Sequence, residues 1–457
     1  MEKFRTICIC FVLMLVFTLN TKSDALHNPD TSIILKQRLE WFQDQKFGLF
    51  TTLGISKLWG ASPWILNTDP AGTDPHRGDP MGPNWDFDIK ILRSAYWDLI
   101  RGFYPRHFDA EEWARIAKEA GMKYYVFYTK HHDGFNMYDT QLSEYKVTSP
   151  ACPYSDHPNP DITARLCEAF RKEGFGIGLC HSYSDWHSPF YWNPNFPVLN
   201  RHYNYDIKKD PERWQKFVDF LHGQIRELMS GYGKIDILWL DGGWDKRDMQ
   251  VGKMVEIARS YQPELIVVSR GGNIHEDYKT PEKRVPPKPL GEPWETWWSM
   301  RDDSAQELIH LLVDIVCKGG NLLLSAAVTS DGKITPSCEE RLKQMGGWLK
   351  VNGDAIYGTR MYSQYRDGNV CYTKKGNYVY AIFLEDTQDP IKARGLPTRV
   401  TIKHIRPVAG SKIFLLGVEE PLKWQAGDNG VTITVPGSVI NSPPCKYAYS
   451  FRLQVSI

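Results

Sequence analysis

The chain has 457 residues, a formal net charge of +1 and no long basic run. This length exceeds one ordinary domain and suffices for a barrel with a smaller second module. The near-neutral charge argues against nucleic acid or an acidic membrane surface as a partner. Aromatic residues make up 13% of the chain, including 16 Trp. Most of them must pack the core, but surplus tryptophans often line sugar sites because their faces stack on the apolar faces of pyranose rings.

The first 25 residues have the pattern of a signal peptide. Lys3 and Arg5 precede an apolar run over residues 7–19, and small residues stand at positions 23–25. The run is short for a membrane span, so we expect cleavage after Ala25 and a secreted or periplasmic protein that no longer contacts a membrane. Seven scattered cysteines follow, with no CxxC pair. They favour neither a disulfide scaffold nor a zinc site, and at least one thiol is expected to be free or to pair outside the chain.

Helical and strand patterns alternate along residues 26–356. Amphipathic helices are predicted at 34–45, 109–120, 161–173, 211–230, 249–262 and 303–317. Strands are predicted at 47–52, 124–128, 176–180, 235–240, 265–270 and 321–326. Residues 59–96 are rich in Pro, Gly and Asp, which is typical of a long irregular loop over a site. The alternation predicts a parallel sheet wrapped by helices, most simply a (β/α)8-like barrel.

Residues 357–457 follow a different pattern. Short alternating runs with turn residues between them replace the helical spacing. About 100 residues of this kind predict a C-terminal antiparallel β-sandwich. We expect this second domain to support the barrel rather than to bind glycan.

Polar residues cluster where the predicted barrel strands end. Asp241 stands out because it follows a continuous apolar run and precedes two glycines, although it could simply cap the next element. The others are His131, His132, His181, Tyr183 and Arg270, followed by Glu282 and Glu295 in the next loop. The C-terminal ends of barrel strands carry the chemistry of this fold. Two carboxylates with His and Arg donors are what glycoside hydrolysis needs. A metal site is the weaker alternative, because adjacent histidines cannot share one helix face as HExxH ligands do.

The chain resembles the glycoside hydrolase family 29 α-L-fucosidases over nearly all of its mature length. The matching stretches are WFQDQKFG at 41–48, FDAEEW at 108–113, KHHDGF at 130–135, YGKIDILWLDG at 232–242 and CKGGNLLL at 317–324. The family is a retaining exo-glycosidase with a (β/α) barrel and a C-terminal β-sandwich, so the resemblance implies that fold and reaction here.

The resemblance also implies roles for individual residues. Asp241 matches the family nucleophile, His131 and His132 its sugar-binding pair, and Arg270 its arginine near the sugar. The acid/base lies in a loop whose position varies in the family. Glu282 is the first choice for it, with Glu295 as the second choice or a supporting group. The further predicted substrate-binding residues are His181, Tyr183, Trp239, Thr52 and Ser304.

Three of these positions depart from the family pattern. Thr52 and Leu53 stand where the family has His-Trp, and His181 stands where members often have Tyr. Without gaps after Glu295, Ser304 falls on an aromatic residue that packs on the fucose methyl group. Losing that ring would remove apolar contact with C6 and favour a polar substituent there.

The sequence thus predicts a retaining exo-α-L-glycosidase acting on a terminal sugar of an oligosaccharide or polysaccharide. The sugar is expected to be L-fucose or a C6-substituted relative such as L-galactose, with or without sulfate. From Thr52 and Leu53 together with Ser304, we expect an α-L-galactoside, with or without a 6-sulfate, to be cleaved at least as well as the fucoside. No metal or other cofactor is expected. The alternative is a carbohydrate-binding protein of the same fold that has lost turnover.

Overall fold

Seven parallel strands form the sheet that carries the candidate site. The computed structural model describes residues 29–67, 89–198, 200–269, 275–385 and 395–456. The strands are β1 (Phe47–Thr51), β2 (Tyr124–Lys130), β3 (Gly176–Ser182), β4 (Ile237–Asp241), β5 (Ile266–Ser269), β6 (Trp294–Ser299) and β7 (Gly320–Ser325). Their order in the sheet is β5-β4-β3-β2-β1-β7-β6.

The segment 277–279 closes this sheet into a barrel by lying between its two edge strands. The Asp277 N–H donates to the Val267 carbonyl on β5 at 2.8 Å, and the Glu295 N–H on β6 donates to the Lys279 carbonyl at 2.8 Å. Tyr278, between these two contacts, is 2% exposed and packs with the barrel interior. The segment therefore takes the eighth place around the barrel.

Helices surround the barrel and link its strands. They are α1 (Pro29–Gln45), α2 (Ile89–Trp97), α3 (Ala110–Glu119), α4 (Ile162–Lys172), α5 (Pro211–Gly231), α6 (Val251–Tyr261), α7 (Ala305–Cys317) and α8 (Pro336–Asn352). The Asp109 carboxylate caps α3 by accepting the Glu112 N–H at 3.0 Å, and Asp is among the residues preferred at this position. Residues 59–96 were predicted to be irregular, but α2 begins within them. This helix is stabilised by burial of Leu92 and Tyr96 against the core.

Every second residue of the barrel strands points to the interior, as strand geometry requires. The interior cluster includes Phe50 on β1, Tyr124 and Tyr128 on β2, and Ile237 and Trp239 on β4. A separate cluster of buried residues lies between the strands and the outer helices. Whether a residue faces the barrel interior therefore depends on whether its number is odd or even within that strand.

Two antiparallel sheets form the C-terminal domain. Its strands are β8 (Arg360–Asp367), β9 (Val370–Lys375), β10 (Tyr378–Leu384), β11 (Arg399–Lys403), β12 (Phe414–Leu415), β13 (Lys423–Gly427), β14 (Gly430–Thr434) and β15 (Ala448–Gln454), with the short helix α9 (Gly437–Asn441). The sheet orders are β12-β15-β10-β9-β8 and β11-β14-β13. A core that includes Val379, Phe451, Ile402 and Ile433 joins the two sheets. The predicted fold class, a (β/α)8-like barrel followed by an antiparallel β-sandwich, is confirmed.

The five-stranded sheet also packs on the barrel. Residues such as Tyr380 and Ile382 belong to the cluster that surrounds the barrel helices, and the Trp348 indole N–H on α8 donates to the Ala448 carbonyl at 2.8 Å. All seven cysteines after the N-terminal segment are thiols. The predicted signal peptide lies outside the described residues, and no helix within the described ranges is long and apolar enough to cross a membrane.

Candidate active site

Asp241 is the last residue of β4, and its carboxylate lies at the C-terminal end of the barrel. The residue is 7% exposed. Gly242 follows with φ of 79°, and a Cβ at that position would lie 2.5 Å from Cε1 of His132. Only glycine combines this left-handed backbone with such a close approach. The glycine after Asp241 therefore lets a histidine ring reach the carboxylate.

Two side chains from β2 and the turn after it contact the Asp241 carboxylate. The Tyr128 hydroxyl donates to Oδ2 at 2.5 Å, and Nε2 of His132 lies 3.5 Å from the same oxygen. Burial and the nearby Asp241 charge raise the pKa of Tyr128 well above its ordinary value, so the hydroxyl keeps its proton and remains a donor. The two contacts fix the orientation of the carboxylate.

The two predicted sugar-binding histidines are arranged differently. Nδ1 of His132 lies 2.7 Å from the Ser184 hydroxyl, so a neutral ring that accepts from Ser184 presents Nε2–H to Asp241. Nδ1 of His131 accepts the His132 backbone N–H at 2.8 Å, which places the proton of its neutral ring on Nε2. The His131 ring lies against Tyr128, with centroids 4.6 Å apart. The pair therefore belongs to the wall around Asp241.

An aromatic cluster surrounds His132 on its outer side. Trp64, Trp186 and Trp244 have ring centroids 5.2, 5.2 and 4.8 Å from the His132 ring. Trp64 lies in a short helix, Pro63–Leu66, and Trp244 follows Asp241 by three residues. The segment after β1 thus contributes to the site, as the sequence predicts for the irregular region, and three tryptophans pack around His132.

Glu295 lies inside the barrel and is fully buried. Its Oε2 accepts the Tyr124 hydroxyl at 2.5 Å. Its Oε1 accepts the indole N–H of Trp239 at 3.1 Å and lies 3.4 Å from the Tyr278 hydroxyl. Trp239 is two residues before Asp241 on the same face of β4, so Glu295 holds the ring beneath Asp241. Burial raises the pKa of Glu295 to about 7.

The raised pKa of Glu295 predicts a pH-dependent stability. The carboxyl ionises near 4.5 in the unfolded chain and near 7 in the folded chain, so the free energy of unfolding should fall as the pH rises between these values. The gap corresponds to roughly 3 kcal/mol. Urea unfolding from pH 4.5 to 8 should show that Glu295→Gln loses this slope, whereas the exposed control Glu340→Gln keeps it. Parallel curves for wild type and Glu295→Gln would contradict the assignment.

Glu282 lies in the loop that runs beside β6. The Thr296 hydroxyl donates to the Pro281 carbonyl at 2.6 Å, and the Lys283 N–H donates to the Trp297 carbonyl at 3.1 Å. The Glu282 side chain is 32% exposed, with Oε1 3.9 Å from Nζ of Lys283. The loop is thus attached to β6 on both sides of Glu282, next to Trp297.

Trp297 is a site residue that the sequence did not indicate. It lies two residues after Glu295 on the same face of β6, is partly exposed, and its ring centroid is 5.9 Å from that of Phe50. Nζ of Lys283 lies 5.3 Å above the ring. The ring therefore occupies the barrel mouth on the side of Glu282.

The structure places both His181 and Tyr183, two predicted substrate-binding residues, in buried hydrogen bonds. His181 points outward from β3, where Nδ1 lies 3.0 Å from the Thr129 hydroxyl and Nε2 lies 3.1 Å from Oε1 of Gln224 on α5. Burial and Lys130 lower its pKa well below the ordinary value. Tyr183 is fully buried, with its hydroxyl 2.9 Å from that of Ser269. Ser182, between them, faces the interior, and its hydroxyl lies 2.7 Å from that of Tyr128.

Ser304, another predicted substrate-binding residue, lies at the start of a helix. It is the N-cap of α7, where its hydroxyl accepts the Glu307 N–H at 3.2 Å and donates to Oε2 of Glu307 at 2.8 Å. The residue is exposed, so the hydroxyl stabilises a helix end instead of lining the sugar pocket.

The remaining predicted residues have simpler outcomes. Thr52 directly follows β1 and lies two residues after Phe50, so it is on the same, inward face. It is partly exposed, which places it at the barrel mouth. Trp239 lies in the interior as described above. Arg270 lies outside the described residues. Within the described ranges, no group of three His, Cys, Asp or Glu side chains is arranged to hold a metal ion.

A carboxylate at the C-terminal end of a barrel strand lies where (β/α)-barrel enzymes have their active sites, and carboxylates are the groups that carry out glycoside hydrolysis. A family model described as "Alpha-L-fucosidase" matches residues 14–354, and a second, "Alpha-L-fucosidase C-terminal domain", matches residues 364–454. The chain belongs to the α-L-fucosidase family and is a glycoside hydrolase.

Individual relatives agree with this family. The chain is 30% identical over 444 residues to the tissue α-L-fucosidase of Homo sapiens, covering 90% of this chain and 88% of that protein. It is similar to the α-L-fucosidase isoenzyme 1 structure from Paenibacillus thiaminolyticus, with a TM-score of 0.75, 26% identity, and coverage of 93% of this chain and 100% of that one. A Thermotoga maritima α-fucosidase in complex with fucose matches with a TM-score of 0.68, 26% identity, and coverage of 91% and 98%.

Proposed function

We propose that the chain is a retaining exo-α-L-fucosidase that removes terminal α-L-fucose from glycans through a covalent glycosyl-enzyme intermediate. The observation that carries this proposal is the Asp241 carboxylate at the end of β4, with Oδ2 accepting from Tyr128 and next to His132. A carboxylate fixed in this way is suited to attack an anomeric carbon in a pocket of sugar-binding side chains.

In the proposed first step, Asp241 attacks the anomeric carbon while the Glu282 carboxyl gives its proton to the leaving oxygen. In the second step, Glu282 takes a proton from water, the water oxygen bonds to the anomeric carbon, and the bond to Asp241 breaks. Glu282 suits this role because it is partly exposed on a loop beside the barrel mouth. Glu295 is the poorer candidate, since tyrosine and tryptophan donors surround both of its oxygens inside the barrel. We assign it to positioning Trp239.

We propose L-fucose as the preferred sugar. The rings of Tyr128, Trp239 and Trp297 lie 5.9, 6.0 and 5.9 Å from that of Phe50, so the interior beneath the mouth is aromatic and suits a methyl group. With Ser304 at a helix cap, the predicted preference for an α-L-galactoside loses one of the two observations behind it, and the change at Thr52 and Leu53 remains. An apolar wall rejects an added hydroxyl only by about 100-fold at most.

This proposal predicts that kcat/KM for a 4-nitrophenyl α-L-fucoside exceeds that for the matching α-L-galactoside by roughly 10- to 100-fold. Initial rates of nitrophenol release from both substrates measure the ratio. A ratio near one or below would refute the preference for fucose. No release from either substrate by the folded protein would favour the binding-protein alternative.

One observation favours α-L-galactoside as a second substrate. The indole N–H of Trp297 is buried and has no hydrogen-bond acceptor among the described residues, and an unpaired buried donor is costly until something accepts from it. A C6 hydroxyl would bring an acceptor to the barrel mouth. If galactoside uses this donor, Trp297→Phe should lower kcat/KM for the galactoside severalfold more than for the fucoside.

We also propose that the chain is exported after cleavage of residues 1–25. The support is the basic start, the apolar run and the small residues at 23–25. N-terminal sequencing of protein recovered outside the cytoplasm should begin at Leu26. A mature chain that keeps Met1 would contradict this.

A further inference from the structure

The last three residues of β6 are only partly buried, whereas the other six barrel strands are buried at nearly every position. In the chain between β5 and β6, the described part (275–293) contains no helix. Trp298 alternates with the inward-facing Trp297, so its ring points away from the interior. The residue is only partly buried and packs at the edge of the core that surrounds the barrel. A large aromatic face is therefore left at the surface beside the candidate site.

Two neighbouring cavities meet at Trp298. One has a volume of about 480 Å³ and is lined by Lys283, Arg301, Asp303 and Glu307 as well as Trp298. The other, about 340 Å³, shares Trp298, Asp303 and Glu307 and continues along α7 to Arg366 of the C-terminal domain. We call the two cavities together the Trp298 groove. Its volume is in the range of small-molecule sites.

The groove begins next to the proposed acid/base. Lys283, which lines it, directly follows Glu282, and its ammonium group lies over the Trp297 ring at the barrel mouth. In a glycoside hydrolase the acid/base protonates the oxygen that links the cleaved sugar to the rest of the glycan. The rest of the glycan must therefore pass Glu282 as it leaves the pocket, and the groove begins at the neighbouring residue.

The groove side chains suit a neutral saccharide. Trp298 offers a ring face on which a pyranose can stack. The Arg301 guanidinium is a donor for hydroxyl oxygens, and the carboxylates of Asp303 and Glu307 are acceptors for hydroxyl protons. The larger cavity has two cations, Lys283 and Arg301, and three anions, Asp302, Asp303 and Glu307. This balance is unfavourable for a highly sulfated ligand.

We propose that the Trp298 groove is the leaving-group subsite and binds a neutral pyranose of the glycan from which fucose is released. The inference rests on the proposed function for the position of Glu282. It adds a determinant outside the sugar pocket, which would select among glycans carrying the same terminal fucose.

The test compares substrates with and without a saccharide leaving group. Fucosylated tri- to pentasaccharides of different linkage and 4-nitrophenyl α-L-fucoside are assayed with wild type, Trp298→Ala, Trp298→Phe and the control Trp424→Ala, which removes a partly buried tryptophan from the C-terminal domain. For the oligosaccharide that wild type cleaves best, Trp298→Ala should lower the ratio of its kcat/KM to that of the nitrophenyl substrate by about tenfold. Trp298→Phe should keep most of the ratio, and Trp424→Ala should leave it unchanged.

A binding experiment separates this inference from the proposed function, because it needs no turnover. Saturation-transfer NMR with the fucose-free saccharide should show contact with wild type and much weaker contact with Trp298→Ala. An unchanged substrate ratio, or equal NMR contact in the two proteins, would overturn the groove assignment. Stronger contact with a sulfated saccharide than with the neutral one would overturn the assignment to a neutral ligand. If wild type cleaves none of the fucosides, but its NMR contact with the saccharide still exceeds that of Trp298→Ala, the proposed function is refuted and the groove assignment stands.

Discussion

Replacing Asp241 with asparagine is expected to lower kcat/KM for an aryl α-L-fucoside by about 10⁴-fold or more, because it removes the proposed nucleophile. An asparagine has the same shape as the aspartate and can still accept the Tyr128 hydroxyl that now donates at 2.5 Å. Binding of L-fucose, measured by calorimetry, should therefore change only severalfold. A variant with nearly normal turnover would refute the assignment of Asp241.

Two controls make this experiment decisive. Asp428→Asn makes the same change at an exposed position in the C-terminal domain and should leave turnover unchanged. In Asp241→Asn the new asparagine directly precedes Gly242, and an asparagine followed by glycine is prone to deamidation, which would restore aspartate. Asp241→Ala cannot revert in this way, so its residual activity sets the true background.

The stereochemistry of the first product tests the proposed covalent intermediate separately. Two displacements at the anomeric carbon preserve its configuration, whereas a single attack by water inverts it. Proton NMR during the first minutes of hydrolysis should show α-L-fucose before it equilibrates with the β-anomer. Appearance of the β-anomer first would exclude Asp241 as a covalent nucleophile, even if its replacement abolishes turnover.

The barrel and the β-sandwich could be predicted because the sequence patterns that indicate them extend over many residues. The alternation of helical and strand patterns predicts the parallel barrel, and the change in pattern near residue 357 predicts the antiparallel domain. The closing segment 277–279 could not be predicted in the same way. It is too short to have a periodic pattern, and its place depends on backbone hydrogen bonds to Val267 and Glu295, which are far apart in sequence.

The direction of side chains on the strands was the main obstacle to predicting the site residues from the sequence. His181 was chosen because it lies at the end of a strand, but the inward positions of β3 are Cys180 and Ser182. A shift of one residue moves a side chain to the opposite face of a strand. The same alternation could have found Tyr128, since it lies on the face of Tyr124 and Val126. Its contact with Asp241 also needs the pairing of β2, β3 and β4, which sequence periodicity does not supply.

Ser304 shows a different obstacle to predicting the site from the sequence. A position counted without gaps from Glu295 falls on a pocket wall only if the loop has the length found in relatives. The local signal was already present, because Ser304 with Glu307 three residues later is a capping-box pattern before an apolar helix. That pattern predicts a helix start, and the hydroxyl is then committed to the α7 backbone and to Glu307. Local capping chemistry was the better guide here.

Replacement of Glu282, the proposed acid/base, is expected to have the second large effect on kcat/KM, and it tests whether Glu282 or Glu295 has this role. Glu282→Gln is expected to lower kcat/KM for a saccharide leaving group by about 10²- to 10⁴-fold, because departure of a sugar alkoxide needs a proton. For 2,4-dinitrophenyl α-L-fucoside the loss should be much smaller, since the phenolate leaves without protonation. Added azide should react with the intermediate and give α-L-fucosyl azide, because an anionic nucleophile needs no general base.

Glu295→Gln is the matched comparison, and its result should not depend on the leaving group. Glu295 is fully buried and accepts from Tyr124 and Trp239 inside the barrel, so its replacement acts through the position of the Trp239 ring. Turnover of both substrates should therefore fall by a similar factor, without azide rescue. If instead the dependence on the leaving group appears in Glu295→Gln and not in Glu282→Gln, the acid/base is the buried carboxylate. The loop carrying Glu282 would then have no part in proton transfer.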